Sequence, residues 1–243
     1  MKLTAKTEII KEFIGIADGI NVEELRVHVE EDKIWYLTVD TANVALALVE
    51  IPKDAFTEFD VIPSTFCLDM DKFKVIFGFG GKEISIIRDT VESNSIVVES
   101  GGYRSVQTLL HDGTVKKDPN MPGFELPGKV EMVGKDLASI ITNISKISDK
   151  IRFVVADGKF TVKSEAEGQD NTEKVMHGDE LLHIGGDGNS MFSADYLIGM
   201  SRNFSGDIGI SIGVDHPIIL EFGVSGGRGT GKYLLAPRIE GGE

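Results

Sequence analysis

The sequence predicts an α+β fold made of two tandem copies of one smaller fold, each with helices on one face of antiparallel sheets. Three observations predict it. The chain has 243 residues, 41% of them hydrophobic, which is enough ordinary globular sequence for two domains. It resembles itself when it is shifted by about half its length. Each half contains short helical patterns followed by several strand patterns.

The internal repeat keeps a nearly constant spacing. At an offset of 126 residues, the segment 25–29 matches 151–155, and Ile-Ser-Ile at 84–86 recurs at 210–212. At an offset of 125, Ser-Gly-Gly at 100–102 recurs at 225–227. The shared order of these matches indicates a tandem duplication. We therefore predict one domain over residues 1–110, a connector over 111–127 and a second domain over 128–243.

Each half follows one plan. An amphipathic helix is predicted over 7–18, with Ile10, Phe13 and Ala17 on one face, and its counterpart begins near Leu137. Hairpin patterns follow both helices, and Asp157-Gly158 is a strong turn signal for the second hairpin. A shorter helix comes later in each half, over 70–77 and 196–204, and further strands follow it.

The connector is predicted to be irregular. It holds three of the seven prolines, at positions 119, 122 and 127. A connection this long is usually functional or mobile. Met121 and Phe124 within it either belong to a binding surface or pin the connector down.

Composition excludes several classes of protein. The net charge of −14 argues against a basic nucleic-acid binder, unless positive charge is concentrated on one surface. One cysteine, Cys67, excludes an internal disulfide and a multi-cysteine metal site. No apolar run reaches the roughly 20 residues of a membrane span, and the N-terminus lacks a signal peptide, so we expect a soluble cytoplasmic protein. We predict no metal and no cofactor, because no metal-ligand spacing relates the five histidines: His28, His111, His177, His183 and His216.

Two patterns could support chemistry. Gly226–Lys232 matches part of a phosphate-binding loop, but Tyr233 replaces the hydroxyl residue that would hold magnesium, and a strand pattern follows. A glycine-rich hairpin turn is the favoured interpretation. Asp69 and Asp195 recur in both halves, either as paired catalytic carboxylates or as helix caps. Capping is the favoured interpretation of both aspartates. Cys67 is predicted to be a buried small hydrophobic residue. No catalytic constellation remains, so no enzyme is predicted.

The polar faces of the four helices carry more positive charge than an acidic chain would place there at random. Such faces either are ordinary solvated surfaces or together form one cationic surface suited to a phosphate backbone. The second interpretation makes the following residues DNA-facing: Lys11, Lys72, Lys74, Lys146, Lys150 and Arg202.

Four segments carry a resemblance to a known family. The C-terminal segment 233–240, Tyr-Leu-Leu-Ala-Pro-Arg-Ile-Glu, resembles the terminal signature of the archaeal and eukaryotic DNA sliding clamps, the proliferating cell nuclear antigen family. Segment 39–46 is similar to the early strand and turn of that family, 118–122 to its interdomain connector, and 192–197 to the start of its last helix. Thr41 departs from the usual Pro or Ser, the first strand is short, and the connector has an unusual Pro-Gly-Phe at 122–124.

The resemblance implies a DNA polymerase processivity factor that performs no chemistry. It implies a homotrimeric, pseudo-sixfold ring that encircles duplex DNA without reading its sequence, in the cytoplasm at the nucleoid of an archaeon. Short peptide motifs would link it to DNA polymerase, clamp loader, flap endonuclease and ligase, without any membrane contact. Two alternatives stay open: a subunit of a heterotrimeric clamp, or a duplicated α+β enzyme with a nucleotide site at Gly226–Lys232.

The resemblance also assigns two further sets of residues. Subunit closure would pair the edge near 103–110 with the edge near 171–176, and its predicted residues are Tyr103, Arg104, Val106, Thr108, Leu110, Thr172, Glu173 and Val175. Client peptides would insert a hydrophobic-aromatic plug into a pocket beneath the connector, lined by Val39, Asn43, Val44, Leu46, Met121, Pro122, Pro217, Leu234, Ala236 and Pro237. The tail 238–243 is expected to leave backbone groups free for an extended peptide.

Overall fold

The computed structural model of the protein describes residues 1–166 and 171–239. These residues form two compact units. The first comprises residues 1–41, 47–120 and 224–231, and the second comprises 42–46, 121–223 and 232 onward. None of the helices described is both long enough and apolar enough to cross a membrane.

Besides two short 3₁₀ helices, the first half of the chain has two α-helices and nine strands. They are β1 (Lys2–Lys6), α1 (Thr7–Asp18), β2 (Glu24–Val29), β3 (Lys33–Val39), β4 (Ala45–Pro52), β5 (Glu58–Asp60), β6 (Ser64–Asp69), α2 (Met70–Lys74), β7 (Glu83–Ile87), β8 (Ser95–Ser100) and β9 (Tyr103–Thr108).

The second half repeats that order. Its elements are β10 (Gly128–Val133), α3 (Gly134–Ile144), β11 (Lys150–Ala156), β12 (Lys159–Ser164), β13 (Glu173–His177), β14 (His183–Gly185), β15 (Gly188–Ser193), α4 (Ala194–Ser201), β16 (Asp207–Ile212), β17 (Ile218–Val224) and β18 (Gly229–Leu235). The strand order repeats as well: β5-β1-β7-β8-β9 corresponds to β14-β10-β16-β17-β18, and β4-β3-β2-β6 corresponds to β13-β12-β11-β15. The predicted α+β fold with two similar copies is therefore confirmed.

The amphipathic helices form as their spacing predicts. Helix α1 covers the predicted range 7–18 and buries Ile10, Phe13 and Ala17, and α3 buries Leu137, Ile141 and Ile144. The buried hydroxyl of Tyr36 donates to the Phe13 carbonyl at 2.7 Å, so the one polar atom of that ring keeps a partner. Burial of each helical stripe against a sheet supplies the main stabilisation of these elements.

The shorter helices differ from their predicted ranges. Helix α2 ends at Lys74 and continues as a 3₁₀ helix, Val75–Phe79. Asp69 caps the N-terminus of α2 as predicted, because its carboxylate accepts a hydrogen bond from the Lys72 N–H at 3.1 Å. Capping by Asp195 was wrong, because α4 begins two residues earlier than predicted and Asp195 lies inside its first turn, where it still suits the helix dipole.

Both glycine-containing turns have the backbone that their sequences favour. Asp157 and Gly158 have φ values of 53° and 66°, the left-handed pair that a two-residue hairpin requires. Gly226 and Gly227 also have positive φ, the Gly227 N–H donates to the Val224 carbonyl at 3.0 Å, and strand β18 follows directly. The phosphate-loop alternative for Gly226–Lys232 is thus wrong, because no helix follows to present its N-terminus to a nucleotide.

Candidate DNA-facing, subunit and partner surfaces

Two of the predicted DNA-facing lysines in the first unit already have carboxylate partners. Lys72 Nζ lies 2.7 Å from Asp69 Oδ2, and Lys74 Nζ lies 2.7 Å from Asp18 Oδ1 and 3.0 Å from Asp71 Oδ1. The hydrogen bond to Asp18 raises the pKa of Lys74 above its usual value. Helix α2 therefore presents little uncompensated positive charge.

Lys11 is different. It is exposed on α1, with its ammonium 5.8 Å from the centre of the Phe77 ring. A cleft of about 610 Å³ beside it is also lined by Lys6 and Lys82, both exposed, and by two glutamates. Sequence reasoning missed these two lysines because neither is on a helix. Their signal was positional, since Lys6 directly precedes α1 and Lys82 directly precedes β7.

In the second unit two of the predicted cations are less compensated. Lys146 is exposed, and its ammonium contacts the Asn143 amide oxygen at 3.0 Å. Arg202 is exposed immediately after α4. Within the described residues, neither cation has a carboxylate at ion-pair distance. Lys150 begins β11 and is half-buried.

Strand β9 is an edge strand of its sheet within the described ranges, so one of its sides has no neighbouring strand. The pairing of β9 with β8 determines which backbone groups face that open side. The Leu109 N–H donates to the Asn94 carbonyl at 2.8 Å. Hydrogen-bonded and non-hydrogen-bonded pairs alternate along an antiparallel ladder. Three residues therefore direct both N–H and C=O outward: Arg104, Val106 and Thr108. Leu110 lies beyond β9, and its N–H donates to the Cys67 carbonyl at 2.9 Å.

Strand β9 exposes one aromatic and one aliphatic side chain. Tyr103 is 60% exposed and Val106 is 61% exposed. The Tyr103 ring stacks on Phe79 with a centroid distance of 5.0 Å. Arg104 lies 3.4 Å from Glu99 on the neighbouring strand.

Strand β13 is the matching edge of the four-stranded sheet. The Ser164 N–H donates to the Thr172 carbonyl at 2.9 Å, and the Thr172 N–H donates to Ser164 Oγ at 2.8 Å. By the same alternation, Glu173, Val175 and His177 direct their backbone groups outward. The Thr172 backbone faces β12 instead, so its N–H is not available to a neighbouring strand, and the assignment of Thr172 to the subunit interface stays a prediction.

One outward group of β13 is already capped. The His177 N–H donates to Glu180 Oε2 at 3.0 Å, and this hydrogen bond, together with Lys174, holds the pKa of Glu180 below its usual value. Capping by a charged side chain is one way in which a protein protects an unpaired edge.

The predicted client pocket is only partly assembled by contacts in the structure. In the second unit, the Ala236 N–H donates to the Val44 carbonyl at 2.8 Å, so the end of β18 lies against the start of β4. Leu46 and Leu234 on these strands are 8% and 6% exposed. They are placed to form an apolar floor.

The remaining predicted pocket residues are more accessible. Half-buried in the second unit are Met121, Pro122, Pro217 and Pro237, and Asn43 is exposed with φ of 58°. Val39 belongs to the first unit, where it lines a separate cleft of about 110 Å³ beside Arg26.

The tail is less free than expected. The Arg238 N–H donates to the Met191 carbonyl at 2.7 Å, and its guanidinium pairs with Asp149 at 2.7 Å, which lowers the pKa of Asp149. Residues 240–243 lie outside the described residues. The expectation of free backbone is therefore wrong at Arg238.

Two copies of one α+β fold, repeated in the order of helices and strands, fit the clamp family that the sequence resembles. The chain is 37% identical over 245 residues to the DNA polymerase sliding clamp of Methanospirillum hungatei and 38% identical over 245 residues to that of Methanoregula boonei, with 99% of each chain covered. No family model matches the chain.

Solved structures agree. The PCNA of A. fulgidus, in a structure with the C-terminal region of FEN-1 bound, has a TM-score of 0.92 at 29% identity, with 99% of both chains covered. The PCNA2–PCNA3 complex from Sulfolobus tokodaii has a TM-score of 0.84 at 20% identity, covering 99% of this chain and 100% of that chain, a likeness of fold. The chain belongs to the DNA polymerase sliding clamp family.

Proposed function

We propose that the chain assembles into a homotrimeric ring that encircles duplex DNA and tethers replication and repair enzymes to it. The repeat itself carries the proposal. Strand β18 corresponds to β9, and β4 corresponds to β13. Within the chain, the end of β18 is bonded to the start of β4. The equivalent pairing of β9 with β13 requires a second copy, and repeating it closes a ring of identical seams.

The two edges have compatible backbone groups. Each offers three outward-facing residues, and the exposed Tyr103 and Val106 would be covered by the neighbouring copy. Glu173 on one edge and Arg104 on the other supply opposite charges. Closure also removes two exposed edges that would otherwise invite aggregation.

DNA binding would be loose because a clamp must slide. Lys11, Lys146 and Arg202 are exposed and suited to contact phosphates directly or through water. The ion pairs of Lys72 and Lys74 make their contribution smaller, and half-buried Lys150 would act as a fixed background charge.

Client binding would use the Leu46–Leu234 floor with Met121 as an adaptable wall. Support comes from the A. fulgidus PCNA, whose structure holds the C-terminal region of FEN-1. We infer that flap endonuclease, polymerase, clamp loader and ligase peptides dock in the same way, one client per subunit.

Light scattering on the purified chain tests the assembly. A solution mass of three times 26.4 kDa is expected. A mass of 26.4 kDa at every concentration would contradict the homotrimer and favour a heterotrimeric clamp, for which the PCNA2–PCNA3 complex of Sulfolobus tokodaii gives a precedent.

A further inference from the structure

One arginine holds the first part of the connector. The Arg26 guanidinium on β2 pairs with the Asp112 carboxylate. It also donates to the carbonyls of Asp112 at 2.9 Å, Val115 at 3.1 Å and Lys116 at 3.4 Å. A planar guanidinium can satisfy several acceptors at fixed angles, which an ammonium cannot do.

Neighbouring contacts extend this attachment. His28, two residues further along β2, lies with Nε2 at 2.8 Å from Asp118 Oδ2, and its ring stacks on Trp35 at 4.1 Å. Lys116 Nζ donates to the Asp40 carbonyl at 3.1 Å. Val115 is 6% exposed. Residues 112–118 are therefore attached to the sheet by charge, hydrogen bonding and burial.

The following residues have a different environment. Met121 and Pro122 are half-buried, and Phe124 is 37% exposed, with its ring edge against His216 at a centroid distance of 6.4 Å. Leu126 is buried again at 3% exposure. Residues 119–125 contain no buried side chain, so this part of the connector lacks a buried anchor such as Val115 or Leu126.

We propose that Arg26 is a positioning residue for client binding: it fixes residues 112–118 on β2, so that a client peptide has to order only residues 119–125. This inference rests on the proposed client pocket, which includes Met121 and Pro122. Ordering a short loop between two fixed ends costs less conformational entropy than ordering the whole connector. Release of the first part would therefore weaken client binding without removing any pocket residue.

Arg26→Gln tests the proposal in the full-length chain, with three readouts. Hydrogen exchange of the amides of 113–118 should accelerate by about tenfold or more, since charge-assisted hydrogen bonds hold this segment. Cys67 is the single cysteine, buried at 1% exposure with Sγ 3.9 Å from Asp112 Oδ1, and its reaction with a thiol reagent should accelerate as well. A synthetic peptide with the C-terminal sequence of a flap endonuclease should bind about three- to tenfold more weakly.

Arg228→Gln is the matched control. Arg228 also holds backbone carbonyls in the first unit, those of Ser225 at 3.2 Å and Asp54 at 2.9 Å, but not those of the connector. The Arg228→Gln variant should leave hydrogen exchange of 113–118, the thiol reactivity of Cys67 and peptide affinity unchanged. Arg26→Lys keeps the positive charge but not the planar guanidinium with its several donors, and it should behave like Arg26→Gln. Asp112→Asn removes the partner carboxylate at an exposed site and covers the case in which Arg26→Gln fails to fold.

Each outcome decides a different point. Unchanged exchange and thiol reactivity in both Arg26→Gln and Asp112→Asn would overturn the attachment. Faster exchange with unchanged peptide affinity would overturn the positioning role, and so would full recovery by Arg26→Lys. If the wild-type chain bound no peptide, the proposed client pocket would fail, while the exchange data would still decide on the attachment.

Discussion

Proline substitution at an outward-facing edge residue should open the ring without unfolding the subunit. Val106 on β9 and Val175 on β13 each direct an N–H group away from their own sheet. Proline removes that donor, and its ring occupies the space of the facing carbonyl. Neither substitution removes a hydrogen bond within the subunit.

The loss of association free energy at each seam can be estimated from the geometry of the two edges. Each seam can form up to five main-chain hydrogen bonds, because each edge offers three N–H and three C=O groups and the His177 N–H is already used by Glu180. One lost hydrogen bond contributes about 1 kcal/mol, and the carbonyl left unpaired in the seam costs about 1–3 kcal/mol more. A loss of about 2–4 kcal/mol weakens each seam by roughly 30- to 1000-fold.

Light scattering over a dilution series measures this loss, with circular dichroism to confirm the fold. Val106→Pro and Val175→Pro should dissociate at protein concentrations that leave the wild type trimeric. Val106→Ala and Val175→Ala keep the N–H groups and should dissociate far less. Thr172→Pro should instead lower the melting temperature, because the Thr172 N–H bonds Ser164 within the sheet. Trimers of wild-type stability in both outward proline variants would refute the β9–β13 seam.

Three further predictions concern the pocket, the DNA-facing surface and a helix cap. Leu46→Ala with Met121→Ala should weaken client-peptide binding by about 1–3 kcal/mol, the scale of lost apolar burial; calorimetry with unchanged trimer mass checks this, and wild-type affinity would move the site elsewhere. Lys146→Ala with Arg202→Ala should reduce polymerase stimulation with an intact trimer and lower the salt slope of DNA binding by about 0.9 per lost phosphate contact; normal stimulation at all salt concentrations would contradict the assignment. Asp69→Ala should lower the free energy of unfolding by about 1 kcal/mol and Asp69→Asn by less. Because Lys72 lowers the pKa of Asp69, its contribution is present above the unfolded pKa and lost as pH falls through the lower folded value, so the Asp69→Ala effect should fade below about pH 4; thermal melts at pH 7 and pH 3 measure it, and an equal effect at both would count against it.

The fold was predictable because its signals are local and repeated. The helical period of α1 and the Asp157-Gly158 turn depend only on neighbouring residues. The duplication is visible in the sequence itself, because matching segments recur at an offset of 126 residues. Even so, the start of α4 was misplaced by two residues, which changed Asp195 from a cap into a first-turn residue.

The charge of the proposed DNA-facing surface could be predicted less well, since it depends on residues that are distant in sequence. Lys74 is neutralised by Asp18, 56 positions away. Lys6 and Lys82 join Lys11 only through the folded cleft. Linear sequence shows which faces carry lysine, but not which lysines keep uncompensated charge.

The outward-facing groups of the strand edges and the attachment of the connector could not be predicted from the sequence for a similar reason. Both depend on contacts between residues that are distant in sequence. Whether Thr172 or Val175 presents its N–H outward depends on one hydrogen bond that sets the phase of the ladder. Arg26 alternates with buried Leu25 and Val27 on β2, as any solvent-facing strand residue would. Its attachment to Asp112 links positions that no local pattern connects.

Retention on circular compared with linear DNA tests the central claim most directly. A clamp loaded on a nicked circular duplex should survive gel filtration at high salt and should be released when the same duplex is cut once, because only a free end lets a closed ring slide off. Equal loss from circular and linearised DNA would contradict topological tethering. Retention on cut DNA at high salt would contradict the loose phosphate contacts proposed for Lys11, Lys146 and Arg202.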